Sequence, residues 1–289
     1  MKKTITADMP LRRTSFLQTA KKNKCLLLMI LPALLYFVIF SYIPMFGVVL
    51  AFKKYDYALG ILKSPFVGLE NFKFFFKSGQ AFTVTRNTFL YNIAFIVLGN
   101  VMQLIVAIFL TEIGSKKIKK TAQTCIFFPY FISWVVVGAI VYNFFSFDYG
   151  FVNNILESLS MNPINVYSEP KYWPFIIIFL DIWKGLGYGS VVYMATIAGI
   201  DTSVYEAAEI DGANIMQRIW HITIPALRST MITLVLLALG RVFRGNMTMF
   251  YSLVGNNGLL YNYTDVIDTF TFRTLLFSND IGMSSAVGL

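Results

Sequence analysis

"EAAEIDGANIMQRIWHITIP", residues Glu206 to Pro225, is the one sizeable polar island in the apolar second half of this 289-residue chain. A bare connection between two apolar helices needs only a few residues, so an interruption of this length asks for a structural reason. Ser203 with Glu206 three residues on is a capping-box pattern, which predicts a short helix over 205–210 with small Ala207 and Ala208 on its surface. Gly212, behind Asp211, is a natural helix stop that accepts positive φ. Asn214 opens a second short helix over 215–222, and Pro225 sets the entry into the next apolar stretch. The pattern reads as a helix–turn–helix knob standing between two hydrophobic segments.

The flanking sequence places that knob at a membrane. The chain is 56% hydrophobic and only 13% charged, whereas soluble domains carry about a quarter charged residues. Five stretches are long enough to cross about 30 Å of hydrocarbon as helices: 26–52, 87–113, 122–147, 172–200 and 230–254. A sixth begins near Gly282 and is expected to be cut short at Leu289. The predicted architecture is an all-α integral membrane protein, with a basic leader over 1–25, a transmembrane domain over 26–289 and a cytoplasmic loop over about 201–228.

The net charge of +9 is distributed in a way that argues against a nucleic-acid partner. Lys2, Lys3, Arg12, Arg13, Lys21, Lys22 and Lys24 precede the first span, and Lys116, Lys117, Lys119 and Lys120 lie between the second and third. The positive-inside rule puts both clusters, the N-terminus and the Glu206 loop in the cytoplasm. Lys53, Lys54, Lys63, Lys73 and Lys77 in the first external segment count the other way, but charge governs orientation less in longer segments. The first apolar run exceeds a signal-peptide core, and no small-residue cleavage site follows it. Cys25 and Cys125 fall at cytoplasmic helix ends, where a disulfide is not expected. His221 is the single histidine, so neither a His/Cys metal site nor Ser–His–Asp chemistry is expected.

Within the spans a few residues stand out. Gly185 and Gly189 form a small-xxx-small pair that lets another helix approach closely. Asp181 and Lys184 are spaced to pair on one helical face. Arg241 and Arg244 share a face of the fifth span near the bilayer midplane, where a charge costs at least about 2.5–3.5 kcal/mol, so they should face a polar interior. Tyr188, Tyr193, Phe243, Phe250, Tyr251 and Asn246 offer aromatic faces and an amide of the kind sugar sites use. Outside the spans, "SPFVGLENFKFFFKSG" predicts a short helix on the outer surface. The spacing of Phe151, Ile155 and Leu159 predicts an external amphipathic helix, broken at Pro163 and Pro170.

The spacing of the opening stretch resembles the signature of ABC importer permeases: Glu-Ala-Ala, three residues, Gly, nine residues, Ile, one residue, Leu-Pro. Glu206, Ala207, Ala208, Gly212, Ile222 and Pro225 fall in register, with Ile224 in place of the usual Leu. "FVGLENF" (66–72), "FPYFISWVVVGAI" (128–140), "IWKGLGYGS" (182–190) and "TDVIDTFTFR" (264–273) look like the carbohydrate-uptake branch, especially permeases for oligosaccharides and polysaccharide fragments. The resemblance implies the type I importer permease fold of six transmembrane helices in a bacterial cytoplasmic membrane. It implies a second, similar permease, two ATPase subunits seated on the Glu206–Pro225 loop and an extracellular binding protein that delivers the sugar. The chain has no GxxxxGK[ST] phosphate loop, so ATP and Mg are expected in the ATPase subunits, with no cofactor on this chain.

The alternatives fit less well. A secondary transporter or another multi-pass channel for a small polar solute would call for inverted repeats and coupling-ion carboxylates at midplane. Asp181 is the single deep acid. A membrane enzyme would need convergent acid, base or metal residues, and a scaffold would not need deep arginines. The candidate pathway residues are Asp181, Lys184, Tyr188, Arg241, Arg244, Asn246 and Tyr251. If Asp181 neutralises Lys184, two positive charges remain, which predicts an acidic oligosaccharide as cargo, such as a uronic-acid-containing fragment.

Overall fold

The structure is a computed structural model that describes residues 22–77 and 79–289, so the leader lysines and arginines up to Lys21 lie outside the described residues. Among the described residues regular structure is helical, apart from one antiparallel bridge between Lys53 and Phe66. The first span, α1 (Lys24–Phe52), turns its apolar side chains outward along most of its length. In a bilayer lipid and neighbouring chains cover such a face, so little drives it inward. The predicted surface helix follows as α2 (Glu70–Lys77), then the long α3 (Gln80–Glu112).

The third span differs from the expected single helix. It is built from α4 (Lys116–Phe131) and α5 (Trp134–Phe145), which meet at a 95° bend. The local cause is legible at the junction: Pro129 withholds a backbone donor, and Ser133 starts a new helix by accepting from the Val136 amide at 3.3 Å. The predicted external helix is α6 (Phe151–Ser158), and a 3-10 turn opening at Pro170 leads into α7 (Trp173–Ala198). After α8 (Thr202–Ile210) comes α9 (Ile215–Leu239), the next span.

The fifth span also departs from expectation. Instead of one helix over 230–254, α9 stops at Leu239 and the chain resumes as α10 (Met247–Val254). Gly240 ends α9, and Asn246 caps α10, its Oδ1 accepting from the Met249 amide at 3.1 Å. A connection carrying α11 (Ile267–Leu276) then leads to α12 (Ile281–Gly288), where the sixth span was expected.

Two larger cores organise the bundle, beside a smaller cluster of Phe75, Ala81, Val84 and Phe270. Tyr193, Met194, Leu104, Ala107 and Leu227 pack near the knob, while Tyr91, Trp173, Ile177, Leu180, Met249 and Phe250 pack at the opposite end. The helix α3 and the fourth and fifth spans contribute to both cores. Their polar residues between those positions therefore occupy the middle of the bundle. Close approach of α7 depends on its small residues: Gln103 of α3 fills the space beside Gly189, and the α4 backbone at Ile126–Phe127 lies against Gly187.

Candidate functional site

The knob is built by local chemistry. The helix α8 starts at Thr202, ahead of the expected 205, because Asp201 and not Ser203 is its cap; the Asp201 carboxylate accepts from the Ser203 amide at 3.0 Å. A charged acceptor bonds an exposed helix-end amide more strongly than a hydroxyl does, so the Ser203–Glu206 box is displaced. That hydrogen bond holds the Asp201 carboxyl below its ordinary range. Gly212 has φ +78°, and the Ala213 amide returns to the Ala208 carbonyl at 2.9 Å, closing the helix as a Schellman turn.

Asn214 and Gln217 then cap each other, at 2.9 and 2.8 Å, and open α9. The expected separate helix over 215–222 does not end. It passes through a π turn at Ile219–Thr223 into the span, and Pro225 follows at the second position of the resumed α-helix. A hydrogen bond from Tyr205 to Thr223 (2.9 Å, either hydroxyl donating) and an Arg218–Glu209 ion pair (3.5 Å) tie the two arms together. Glu206 and Ala207 are exposed, Ala208 and Ile222 are half-buried, and Ile210 and Met216 present bare apolar surface.

Between the two cores lies a cavity of about 1040 Å³. Five expected pathway residues line it: Asp181, Tyr188, Arg241, Arg244 and Asn246. Two do not. Tyr251 packs edge-on against Phe272 and borders a separate recess with Tyr142 and Tyr167. Lys184 turns away to the bend of the third span, where its ammonium donates to the carbonyls of Tyr130 (2.7 Å), Pro129 (3.2 Å) and Ile132, beside the rings of Tyr130 and Trp134. It forms no ion pair with Asp181. The bend turns three carbonyls toward one point, of which Pro129 also accepts from the Ile132 amide at 3.2 Å, and the three together outcompete one carboxylate on the same helix.

Arg241 and Arg244 were expected on a helical face and instead sit in the non-helical break between α9 and α10. The break is held from two sides. Asn92 donates to the Arg244 carbonyl at 3.3 Å, and the Asp268 carboxylate accepts from the Gly245 amide. Gly245 has no room for a side chain, since a Cβ would stand 2.7 Å from the Asp268 oxygen. Neither guanidinium belongs to an ion pair among the described residues. The charge count changes accordingly: two arginines face two carboxylates, Asp181 and Asp268, so the expected surplus of two positive charges is absent from this chain's wall.

Sequence reasoning missed part of the lining. Asn92, Asn100 and Gln103 of α3 reach the cavity, and Tyr193 donates to Asn100 at 3.0 Å. Their signal was present as amides recurring at near-helical spacing in an apolar helix. Asp268 had no such signal, because it arrives from a connecting segment. That segment is clamped by a buried pair, Arg273 to Asp265 at 2.7 Å, with Thr269 also donating to Asp265 and Tyr261 stacked on the guanidinium.

Comparison with known proteins agrees with this architecture. Residues 99–277 match the family model described as binding-protein-dependent transport system inner membrane component. Protein LplB of Bacillus subtilis (strain 168) is 36% identical over 275 residues, 95% of this chain and 86% of that protein. The polygalacturonan/rhamnogalacturonan transport system permease protein YteP of the same organism is 32% identical over 268 residues, 93% of this chain and 83% of that one. A solved chain of a bacterial ABC transporter involved in import of the acidic polysaccharide alginate matches with a TM-score of 0.84 and 30% identity, covering 94% of this chain and 91% of that chain. A second solved chain, with the same score and identity, is from the alginate transporter in complex with an alginate pentasaccharide-bound periplasmic protein.

Proposed function

We infer the function from a plain premise: the chain belongs to the family of binding-protein-dependent transport system inner membrane components, the permeases of ABC importers. It is the multi-pass membrane subunit of an ATP-driven oligosaccharide importer. In the full reading it pairs with a second, similar permease, engages two cytoplasmic ATPase subunits and receives sugar from an extracellular binding protein. The N-terminus and the knob face the cytoplasm. ATP and Mg sit in the ATPase subunits, and this chain contributes coupling rather than hydrolysis.

One observation carries the coupling role. The fourth span ends at Ala198 and α8 begins at Thr202, while α9 runs from Ile215 in the knob to Leu239, next to the arginine-bearing break. A displacement of the knob therefore reaches two of the spans that line the cavity, the fourth and the fifth, with little slack to absorb it. Exposed Glu206 and small Ala207 and Ala208 suit seating in a groove on the ATPase, with Glu206 placed to meet a basic residue there.

The cargo in this reading is an acidic oligosaccharide. The wall is formally balanced, so net charge does not support this; the distribution of bonding does. Neither guanidinium forms an ion pair among the described residues, so both keep donors available to a carboxylate on a sugar. One similar chain belongs to a transporter involved in import of the acidic polysaccharide alginate, and another is a polygalacturonan/rhamnogalacturonan transport permease.

The test is an Ala207→Asp/Gly212→Val double variant. It is expected to insert in the membrane, to lose ATPase co-purification and to lower sugar uptake at least about tenfold, because valine at φ +78° costs on the order of 1–2 kcal/mol and a charge enters the docking face. Wild-type values of both measurements would sink the coupling role. Uptake of matched acidic and neutral oligosaccharides by the assembled wild-type transporter tests the cargo separately, and preference for the neutral sugar would defeat the acidic reading.

A further inference from the structure

The central cavity has two carboxylates, and they are bonded differently. Asp181 projects from α7 and makes no hydrogen bond or ion pair to the arginine-bearing break. Asp268 comes from α11 and accepts a hydrogen bond from the Gly245 amide, inside that break and one residue beyond Arg244. Asp268 and both arginines also border a neighbouring recess of about 710 Å³, so this carboxylate stands at the wall where the two cavities meet the cations. A Cβ at Gly245 would stand 2.7 Å from the Asp268 oxygen and 2.9 Å from a Val266 methyl, so it is the glycine that lets the backbone come this close to the carboxylate. The segment bearing Asp268 is in turn held by the Asp265–Arg273 pair and by the Asn87 side chain, which donates to the Asp265 carbonyl at 3.0 Å.

These connections separate two jobs within one side chain. As a hydrogen-bond acceptor, Asp268 fixes the backbone from which Arg244 and Arg241 project. As an anion, it offsets part of their charge where cargo passes. We propose that Asp268 is a specificity-determining and positioning residue: it presents the Arg241–Arg244 stretch to cargo and, through its charge, limits how strongly that stretch prefers an anionic sugar. A transporter must release what it binds, and with Asp181 as the single carboxylate facing both guanidiniums the cavity would hold a polyanionic fragment more tightly and pass it on more slowly. The proposal rests on the oligosaccharide-importer reading given above, and not on the cargo being acidic.

The two jobs can be separated because asparagine keeps the acceptor and removes the charge. The assembled transporter, with its ATPase and binding protein, is assayed with an acidic and a neutral oligosaccharide of matched length, in competition and at two salt concentrations. Asp268→Asn is expected to raise the acidic-to-neutral uptake ratio about three- to tenfold at low salt, with a smaller rise at high salt, as screening of a partly wet site requires. Asp268→Ala, which also loses the hydrogen bond, is expected to lower uptake of both sugars. An unchanged ratio in Asp268→Asn would overturn the proposal, as would an equal loss of both sugars in the Asn and Ala variants, since either result makes the residue structural only. Wild-type selectivity is the independent arm. A transporter that takes only the neutral sugar, yet gains acidic uptake in Asp268→Asn, defeats the acidic-cargo reading and upholds the role of Asp268. An acidic-selective wild type with an unmoved ratio does the reverse.

Discussion

The knob and the cavity are both polar exceptions in an apolar chain, and they are made in opposite ways. The knob is closed by neighbours: Asn214 and Gln217 cap each other across three residues, Asp201 reaches two residues on, and the Tyr205–Thr223 link spans eighteen. The cavity is closed by strangers. Gly245 meets Asp268 across 23 residues, Tyr193 meets Asn100 across 93, and Asn92 meets Arg244 across 152. A locally capped unit keeps its shape wherever the spans carry it, which suits a part that must move as one body. A wall assembled from separate helices changes whenever those helices shift, which suits a site that must bind and then let go. The comparison implies that damage to one region leaves the other working.

The largest effect should come from the clamp behind the cavity. Arg273→Met leaves Asp265, whose side chain is 5% exposed, as a buried charge without its partner. Such a loss costs about 3–5 kcal/mol. The expected result is a lower melting temperature and lost uptake, with ATPase co-purification per folded permease close to wild type. If ATPase binding falls in step with uptake, the independence of the two regions is broken. Next in size is Lys184→Met, which strips the donor from carbonyls at the bend of the third span and should cost on the order of 3 kcal/mol. Thermal unfolding should shift down while the acidic-to-neutral uptake ratio stays constant. A changed ratio at unchanged stability would return Lys184 to the cargo pathway.

The same contrast explains what the sequence could tell. The knob was legible because its determinants lie within about twenty residues of one another. Gly212 and Asn214 were identified in their observed roles, and the errors were which residue caps α8 and where the second helix ends, since α9 runs on into the span. The two broken spans were misread because hydropathy does not register a bend: residues 122–147 and 230–254 are each apolar enough on average to read as one span, and Pro129, Ser133, Gly240 and Asn246 act through single backbone groups. Four of the five expected residues that line the cavity, Asp181, Arg241, Arg244 and Asn246, stood out because charged and amide side chains in an apolar span have few other uses, and Tyr188 stood out by its aromatic face. Lys184 was misassigned on helical spacing alone, which gave it Asp181 and hid the carbonyls of another helix. Asp268 was invisible, since nothing in a linear pattern ties a connection after the fifth span to a glycine inside it.

The smallest expected effect tests the knob at its most local point. Asn214→Ala removes one half of a reciprocal cap, so Gln217 loses its acceptor and the first amides of α9 turn to water. Caps of this kind contribute about 1 kcal/mol. Gly212 still ends α8, and the Tyr205–Thr223 and Arg218–Glu209 links still hold the arms, so the knob should fray at one end rather than collapse. One kilocalorie corresponds to about a fivefold change in an equilibrium. Titration of the ATPase onto permease in nanodiscs should therefore show affinity reduced by no more than about fivefold. Uptake at saturating ATPase should change little, and the ratio of acidic to neutral sugar should not change at all. Cooperative loss of the whole knob would appear as a drop well beyond tenfold and would show that its parts are not separately stable. A shift in sugar preference would show something different: that a cap at the knob end of α9 alters the wall at its other end, and that the helix between them transmits shape as well as displacement.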